Sequence, residues 1–261
     1  MHRKTQFMQS GNSRAVRRNS FSSYLLLLPE NLLFRQYFHF EKCYNHFMKY
    51  TDLIWDFNGT ILDDIAVCVD IESDMLRRRG RPGFASVDEY YAVFCFPVKQ
   101  YYINMGYDFS VESYDDVAEE WAKEYAVRTV SCGLREGVAD MLEKGRANGV
   151  GQIILSSSEK NILSDQLVSL GVSGYFKEIL ALGNSKGESK VDLAVEWFER
   201  TKPERALFIG DTAHDAEAAA RLGCDCALVC GGHASAQTLA STGYPVYPDI
   251  AALCRELYGD E

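Results

Sequence analysis

From Tyr50 onward, short apolar runs alternate with longer stretches whose apolar residues recur every three to four positions. Residues 53–55, 152–155, 206–209 and 227–229 are each short, apolar and bounded by polar or glycine residues, and 179–182 is a fifth run of this kind. Such runs predict buried strands. Helical text lies between them at 138–148, 159–170, 190–200 and 214–222. Three of these stretches end at Gly149, Gly171 and Gly223, and the other stops before Pro203, as helix C-termini do. Strand–helix alternation predicts an α/β fold, a Rossmann-like parallel sheet with helices on both faces.

One interval breaks the rhythm. Between Asp64 and Arg135 no buried strand is legible. Helical periodicity covers 65–79, 87–94, 98–105 and 114–129, punctuated by Gly80-Arg81-Pro82-Gly83, Phe96-Pro97 and Gly106. We expect a core of residues 48–64 and 135–261 with an inserted α-helical cap domain at 65–134. An insert after the first strand lies over the carboxyl ends of the strands, where open α/β sheets bind ligands. Residues 1–47 lack periodicity. They are expected to be a poorly ordered leader, or a mis-assigned start with Met48 as the true first residue. Leu25 to Leu28 is too short a run for a spanning helix, which needs about 18 apolar residues.

Composition narrows the partners. The chain has 261 residues, 47% apolar and 25% charged, with a formal net charge of −10. That balance argues against nucleic-acid binding and against anionic membrane surfaces. It is compatible with a small anionic substrate held by a local cationic site. Eight cysteines are scattered through predicted helices and strands, which points to reduced thiols in a cytoplasmic protein. Cys224-x-Cys226-x3-Cys230 with His233 behind it has two readings, a metal site or a small-residue strand. Zinc sites usually show two separated ligand pairs, and the missing second pair favours the strand.

Four segments carry candidate chemistry. Asp56 closes the first apolar strand and precedes Phe57-Asn58-Gly59-Thr60, where glycine lets backbone N–H groups approach an anion. A strand followed by an Asx turn would look the same. A second apolar strand ends in Gly210-Asp211-Thr212-Ala213-His214-Asp215. Its two carboxylates suit a hard cation, although acids at a helix N-terminus also serve the dipole. A third strand runs into Ser156-Ser157-Ser158-Glu159, where hydroxyls and a helix N-terminus can hold phosphate or simply cap the helix. Lys190, in Ser189-Lys190-Val191-Asp192, can offer positive charge to a transferring phosphoryl group, or be a surface lysine.

In order and context these segments resemble the motifs of the haloacid dehalogenase-like hydrolase superfamily. Those motifs are Asp-x-Asp-Gly-Thr after a strand, a strand-ending Ser or Thr, a Lys at a helix start, and Gly-Asp-x-x-x-Asp. The resemblance covers residues 50 to about 258. Text such as Phe96-Pro97-Val98-Lys99-Gln100-Tyr101-Tyr102 and Gly231-Gly232-His233 looks like the phosphoglycolate-phosphatase-like branch. The resemblance implies a phosphoric monoester hydrolase in which Asp56 attacks phosphorus and forms an aspartyl-phosphate. It implies Mg²⁺ held by Asp56, the Asn58 backbone carbonyl and Asp211, with Asp215 assisting directly or through water or Lys190. Ser156 and Lys190 would hold the phosphoryl oxygens. A phosphomutase would need a larger cap pocket, and a dehalogenase needs no metal.

The chain departs from the family pattern at Asn58, where the second Asp usually stands. That acid protonates the leaving group and activates water, and an amide cannot transfer protons in this way. General acid–base help is worth about 10²–10⁴-fold. Either another group such as His214 or a cap residue substitutes, or the leaving group needs little protonation, or the protein binds phospho-ligands with slow or no turnover. His214 and His233 are relay candidates or plain loop histidines. Arg77, Arg78, Arg79 and Arg81 either attract an anion or form a solvated helix end.

Overall fold

β1 (Asp52–Trp55) forms the middle of a six-stranded parallel sheet, between β2 (Gly151–Glu159) and β4 (Ala206–Gly210). The computed structural model describes residues 50–182 and 190–259. The expected leader at 1–47, Met48 and Ser189 lie outside the described residues. β3 (Glu178–Leu182), β5 (Asp225–Val229) and β6 (Val246–Tyr247) complete the order β3-β2-β1-β4-β5-β6. The parallel α/β architecture expected from the sequence is therefore present. Among the described residues no helix is long and apolar enough to cross a membrane.

Alternation along the strands builds the two sides of the core. Leu53 and Trp55 of β1, with Leu207 and Ile209 of β4, pack against α5 (Val138–Ala147), α6 (Lys160–Ser169) and α10 (Ile250–Tyr258). Ile54 and Phe208 point to the opposite face, toward α7 (Lys190–Thr201), α8 (Ala213–Leu222) and α9 (Ala236–Ser241). Cys224 and Cys226 belong to this second apolar cluster, as expected of a small-residue strand. Both β1 residues that flank Ile54 are buried, so β1 reads as one apolar run rather than an alternation.

Between the linkers at 61–63 and 133–135 lie four α-helices: α1 (Ile65–Arg78), α2 (Val87–Val93), α3 (Val98–Asn104) and α4 (Tyr114–Arg128). They share their own apolar cluster, built on Ile71, Met75, Tyr90, Tyr101, Tyr102 and Tyr125. Of the arginines at and after the end of α1, Arg77 meets Asp74 at an exposed position, as a solvated helix end does. Arg78 pairs with Glu120 and Glu124, and Arg79 with Glu112 and Glu120, tying α1 to α4. Being partly exposed, each pair contributes at most about 1 kcal/mol. The two linkers to the sheet run side by side. Asp63 N–H donates to Gly133 O at 3.0 Å, Arg135 N–H donates to Ile61 O at 2.9 Å, and Leu62 bridges Leu134 in antiparallel register.

Candidate active site

The loop after β1 is shaped by its own backbone. Asp56 N–H still donates to Ile209 O at 2.9 Å, so the residue leaves the sheet fixed to β4. Phe57 O then accepts from Ile61 N–H and Leu62 N–H, folding the chain over. Gly59 sits at φ +71°, a conformation that favours glycine. A Cβ there would lie 2.5 Å from Asp211 Oδ2, so the close approach of the two loops also requires glycine. Thr60 Oγ1 donates to Asp211 Oδ1 at 2.7 Å.

Asp211 leaves the end of β4, and α8 starts two residues later. Asp215 closes a capping box there: its Oδ2 accepts from Thr212 N–H at 3.0 Å and Thr212 Oγ1 at 2.7 Å. Its Oδ1 accepts from Lys190 Nζ at 2.8 Å. The same ammonium pairs with Asp56 Oδ1. The structure thus brings together Asp56, Lys190, Asp211 and Asp215, all buried, at the carboxyl ends of the two central strands. Lys190 is no surface lysine; its side chain is 5% exposed.

The strand carrying Ser156 differs from expectation. Rather than ending in hydroxyls at a helix N-terminus, β2 continues to Glu159, with a register break against β3 between Ser156 and Glu159. Glu159 caps α6, accepting from Asn161 and Ile162 N–H. The extra residues are spent on that break, so Ser156 sits inside the strand end, fully buried. Its Oγ accepts from Ser158 N–H at 3.1 Å. Ser158 Oγ donates to Asn58 Oδ1 at 2.9 Å.

Asn58 is fully engaged. Its amide nitrogen donates to Asp64 Oδ2 at 3.2 Å and to the Tyr125 hydroxyl. Asp64 precedes α1 but does not cap it with its side chain. Its carboxylate turns back instead, and Oδ1 accepts from Gly59 N–H at 2.8 Å. Tyr125 OH donates to Oδ2 at 2.6 Å. His233 Nε2 lies 3.3 Å from Oδ1 as an ion pair, while His233 Nδ1 meets the Tyr90 hydroxyl at 2.8 Å. The His233 backbone N–H donates to Asp211 Oδ2 at 2.6 Å. His214 stands apart from these contacts: its ring stacks on Phe96, 4.7 Å between centroids, and Nδ1 faces Glu217. Asp64, Tyr90 and Tyr125 carry no motif signal. The tyrosines read as helix-face core residues, and the only hint of Asp64 is its place in the Asp63-Asp64 pair that follows the Gly-Thr turn.

Charge decides what the site can hold. Burial drives the Asp56 carboxyl well above its usual range; Lys190 opposes this, and Asp215 and Asp211 add to it. Burial also raises Asp211, against the pull of His233. Burial alone would raise Asp215 too, but Lys190 and the Thr212 donors overcome it and hold that carboxyl low. Burial would lower His233, yet Asp64 outweighs it and lifts the imidazole to about 9, so the ring is cationic at neutral pH. Carboxylate oxygens of Asp56, Asp211 and Asp215 lie within 4.8 Å of one another. Ionised together, Asp56, Asp64, Asp211 and Asp215 would carry more negative charge than Lys190 and His233 offset, and the upward push on Asp56 and Asp211 reflects in part that crowding. An all-oxygen donor set with that excess fits a hard divalent cation such as Mg²⁺, which takes one or two carboxylates and fills the rest with water and phosphate oxygens. Asp215 Oδ1 accepts from Lys190, which suits this residue to anchoring the ammonium.

A family model described as haloacid dehalogenase-like hydrolase matches residues 53–229. Phosphoglycolate phosphatase 1 of Pseudomonas aeruginosa is 25% identical over 195 residues, covering 69% of this chain and 70% of that protein. Phosphoglycolate phosphatase of Pseudomonas fluorescens is 27% identical over 188 residues, covering 67% of each. Among solved structures, Protein Tyrosine Kinase A of Mycobacterium tuberculosis superimposes with a TM-score of 0.68 at 24% identity, covering 81% of this chain and 99% of that one. Fold likeness alone does not choose a reaction. The family match runs from β1 to the end of β5, and so takes in every strand that carries a site residue; the chain belongs to the haloacid dehalogenase-like hydrolases.

Proposed function

We propose that the protein is a Mg²⁺-dependent phosphatase that hydrolyses a small phosphorylated metabolite through an aspartyl-phosphate on Asp56. The observation that carries this reading is the buried Asp56 carboxylate at the end of the central strand, paired to Lys190 with Asp211 beside it. The two Pseudomonas relatives support phosphoglycolate as the substrate class. An Asp56 carboxylate oxygen forms a bond to phosphorus as the ester P–O bond breaks, and the leaving oxygen takes a proton from solvent. Water then attacks phosphorus and gives a proton to solvent as the Asp56 oxygen–phosphorus bond breaks, releasing phosphate and the free carboxylate. Splitting one displacement in two is the use of a covalent nucleophile.

Lys190 and the Ser156 hydroxyl hold phosphoryl oxygens, and Asp215 keeps Lys190 in place. Asp56, the Asn58 backbone carbonyl and Asp211 hold Mg²⁺, which offsets the repulsion between a phosphate and a carboxylate. Residues 65–134 act as a cap that excludes water and selects the leaving group. The described cysteines are all free thiols, which suits a reducing cytoplasm. A phosphate-release assay with Mg²⁺ over a panel of phosphorylated metabolites tests the reading. No release from any of them by folded protein sinks it, and activity surviving in Asp56→Asn removes the nucleophile assignment.

One observation favours a second reading. The Asn58 amide is locked between Ser158, Asp64 and Tyr125 and has no proton to exchange with a leaving group. In that reading the protein binds phospho-ligands and turns them over slowly. Tight Mg²⁺-dependent binding of phosphoglycolate with negligible phosphate release supports it; rapid release eliminates it.

A further inference from the structure

Two hydroxyls from separate helices of the insert end on one buried ion pair of the core. His233 Nδ1 meets the Tyr90 hydroxyl of α2 at 2.8 Å, and the Tyr125 hydroxyl of α4 donates to Asp64 Oδ2 at 2.6 Å. Both tyrosines are buried. Each member of the ion pair is in turn tied to the phosphoryl site. Asp64 fixes the Gly59 N–H, and His233 fixes Asp211 through its own backbone N–H. Asp64 also directly follows the paired linkers at 61–63 and 133–135, where a rigid rotation of the insert would hinge.

We propose that Tyr90 and Tyr125, docked on the Asp64–His233 pair, form a closure lock that shuts the cap and completes the metal and phosphoryl loops in the same movement. The proposal rests on the cap reading above and adds to it four positioning residues, none of them at the reacting phosphorus. The chemistry suits a reversible lock. Hydroxyl contacts to charged groups exchange with water at modest net cost, so open and closed states stay close in free energy. Contacts flanking Tyr90 align with the same closed state: the Tyr91 hydroxyl donates to Gly232 O at 2.9 Å, and Phe94 stacks on His233 at 5.5 Å. Because the lock residues reach Gly59 and Asp211, a ligand that draws those loops together favours closure, and closure favours the ligand.

The test compares the full chain with Tyr90→Phe, Tyr125→Phe and the double variant, which keep the rings and lose only the hydroxyls. Amide hydrogen exchange in the free protein is measured first. Amides at 87–93 and 122–128 should exchange about tenfold faster in the double variant, with 53–55 and 207–210 unchanged. Beryllium fluoride with Mg²⁺ is then added as a phosphoryl mimic. Its apparent affinity should fall by about tenfold in the double variant. Exchange equal to that of the parent protein overturns the lock. Faster exchange with unchanged beryllofluoride affinity makes the tyrosines mere tethers and overturns the coupling. No beryllofluoride binding by the parent protein overturns the phosphoryl reading instead, and the free-protein exchange rates then decide the lock alone.

Discussion

Asn58 and Asp64 face each other inside the site, the amide nitrogen of one donating to Oδ2 of the other at 3.2 Å. The amide is the partner that Asp64 needs. A carboxylate at position 58 would set two like charges at that separation, worth about 5 kcal/mol of repulsion at an effective dielectric of about 20. Asn58 and the buried acid at position 64 are therefore one feature, and an aspartate at position 58 alone would oppose Asp64.

Asn58→Asp is accordingly expected to lower stability, to bring no gain in phosphate release, and to couple to Asp64→Asn by about 1–3 kcal/mol in a double-mutant cycle. Urea unfolding of the two single variants and the double variant measures the coupling. Additive effects, or a tenfold gain in turnover from Asn58→Asp alone, would show that the two positions are independent.

Lys190 is the ammonium shared by Asp56 and Asp215. Lys190→Met leaves those carboxylates and Asp211 buried together without it. Breaking a buried pair costs about 3–5 kcal/mol. The loss should be largest in EDTA and should shrink when Mg²⁺ is added, because the cation supplies the missing charge. Melting curves with and without Mg²⁺ check this. A loss independent of Mg²⁺ would place the cation elsewhere.

The architecture was legible because its signal is local. β1 and β4 are uninterrupted apolar runs that end in Asp56 and in Gly210-Asp211, and the helices announce their ends with glycine. The candidate residues Asp56, Asp211 and Lys190 were legible for the same reason: each stands at an element boundary. α9, β6 and α10 left no prediction; β6 has two residues and α9 has six, too few for any period to show. Tyr90, Tyr125 and Asp64 were hidden for another reason. Their roles depend on contacts across 61 to 143 residues of chain, and on a helical face a tyrosine with a buried hydroxyl partner looks like any core aromatic.

Gly232 sits so close to Asp211 that a Cβ would lie 2.2 Å from Oδ2. Gly232→Ala thus displaces the Asp211 carboxylate without perturbing a left-handed backbone position. Misplacing a group at a reacting centre by about 1 Å can cost about 10²-fold in rate. The expected outcome is a loss of that order in kcat/KM, with a raised Mg²⁺ requirement and a fold intact by circular dichroism. An unchanged Mg²⁺ dependence would remove Asp211 from the metal site.

Glu72 is a buried acid of α1, placed where Trp121 of α4 and Tyr101 of α3 face it. Burial pushes its carboxyl from 4.5 to about 8, against the weaker pull of those two neighbours and with a small push from Glu120. Between those values the folded protein keeps a proton that the unfolded chain has released. Stability from this group is therefore full below about pH 4.5, declines as pH rises through the window, and levels off above about 8. The shift corresponds to about 5 kcal/mol across the window. Glu72→Gln has nothing to ionise. It should match the parent protein near pH 4.5 and exceed it in stability at pH 8, read by urea unfolding at pH 5, 6.5 and 8. Parallel pH profiles for the two proteins would mean that Glu72 ionises freely in the folded state.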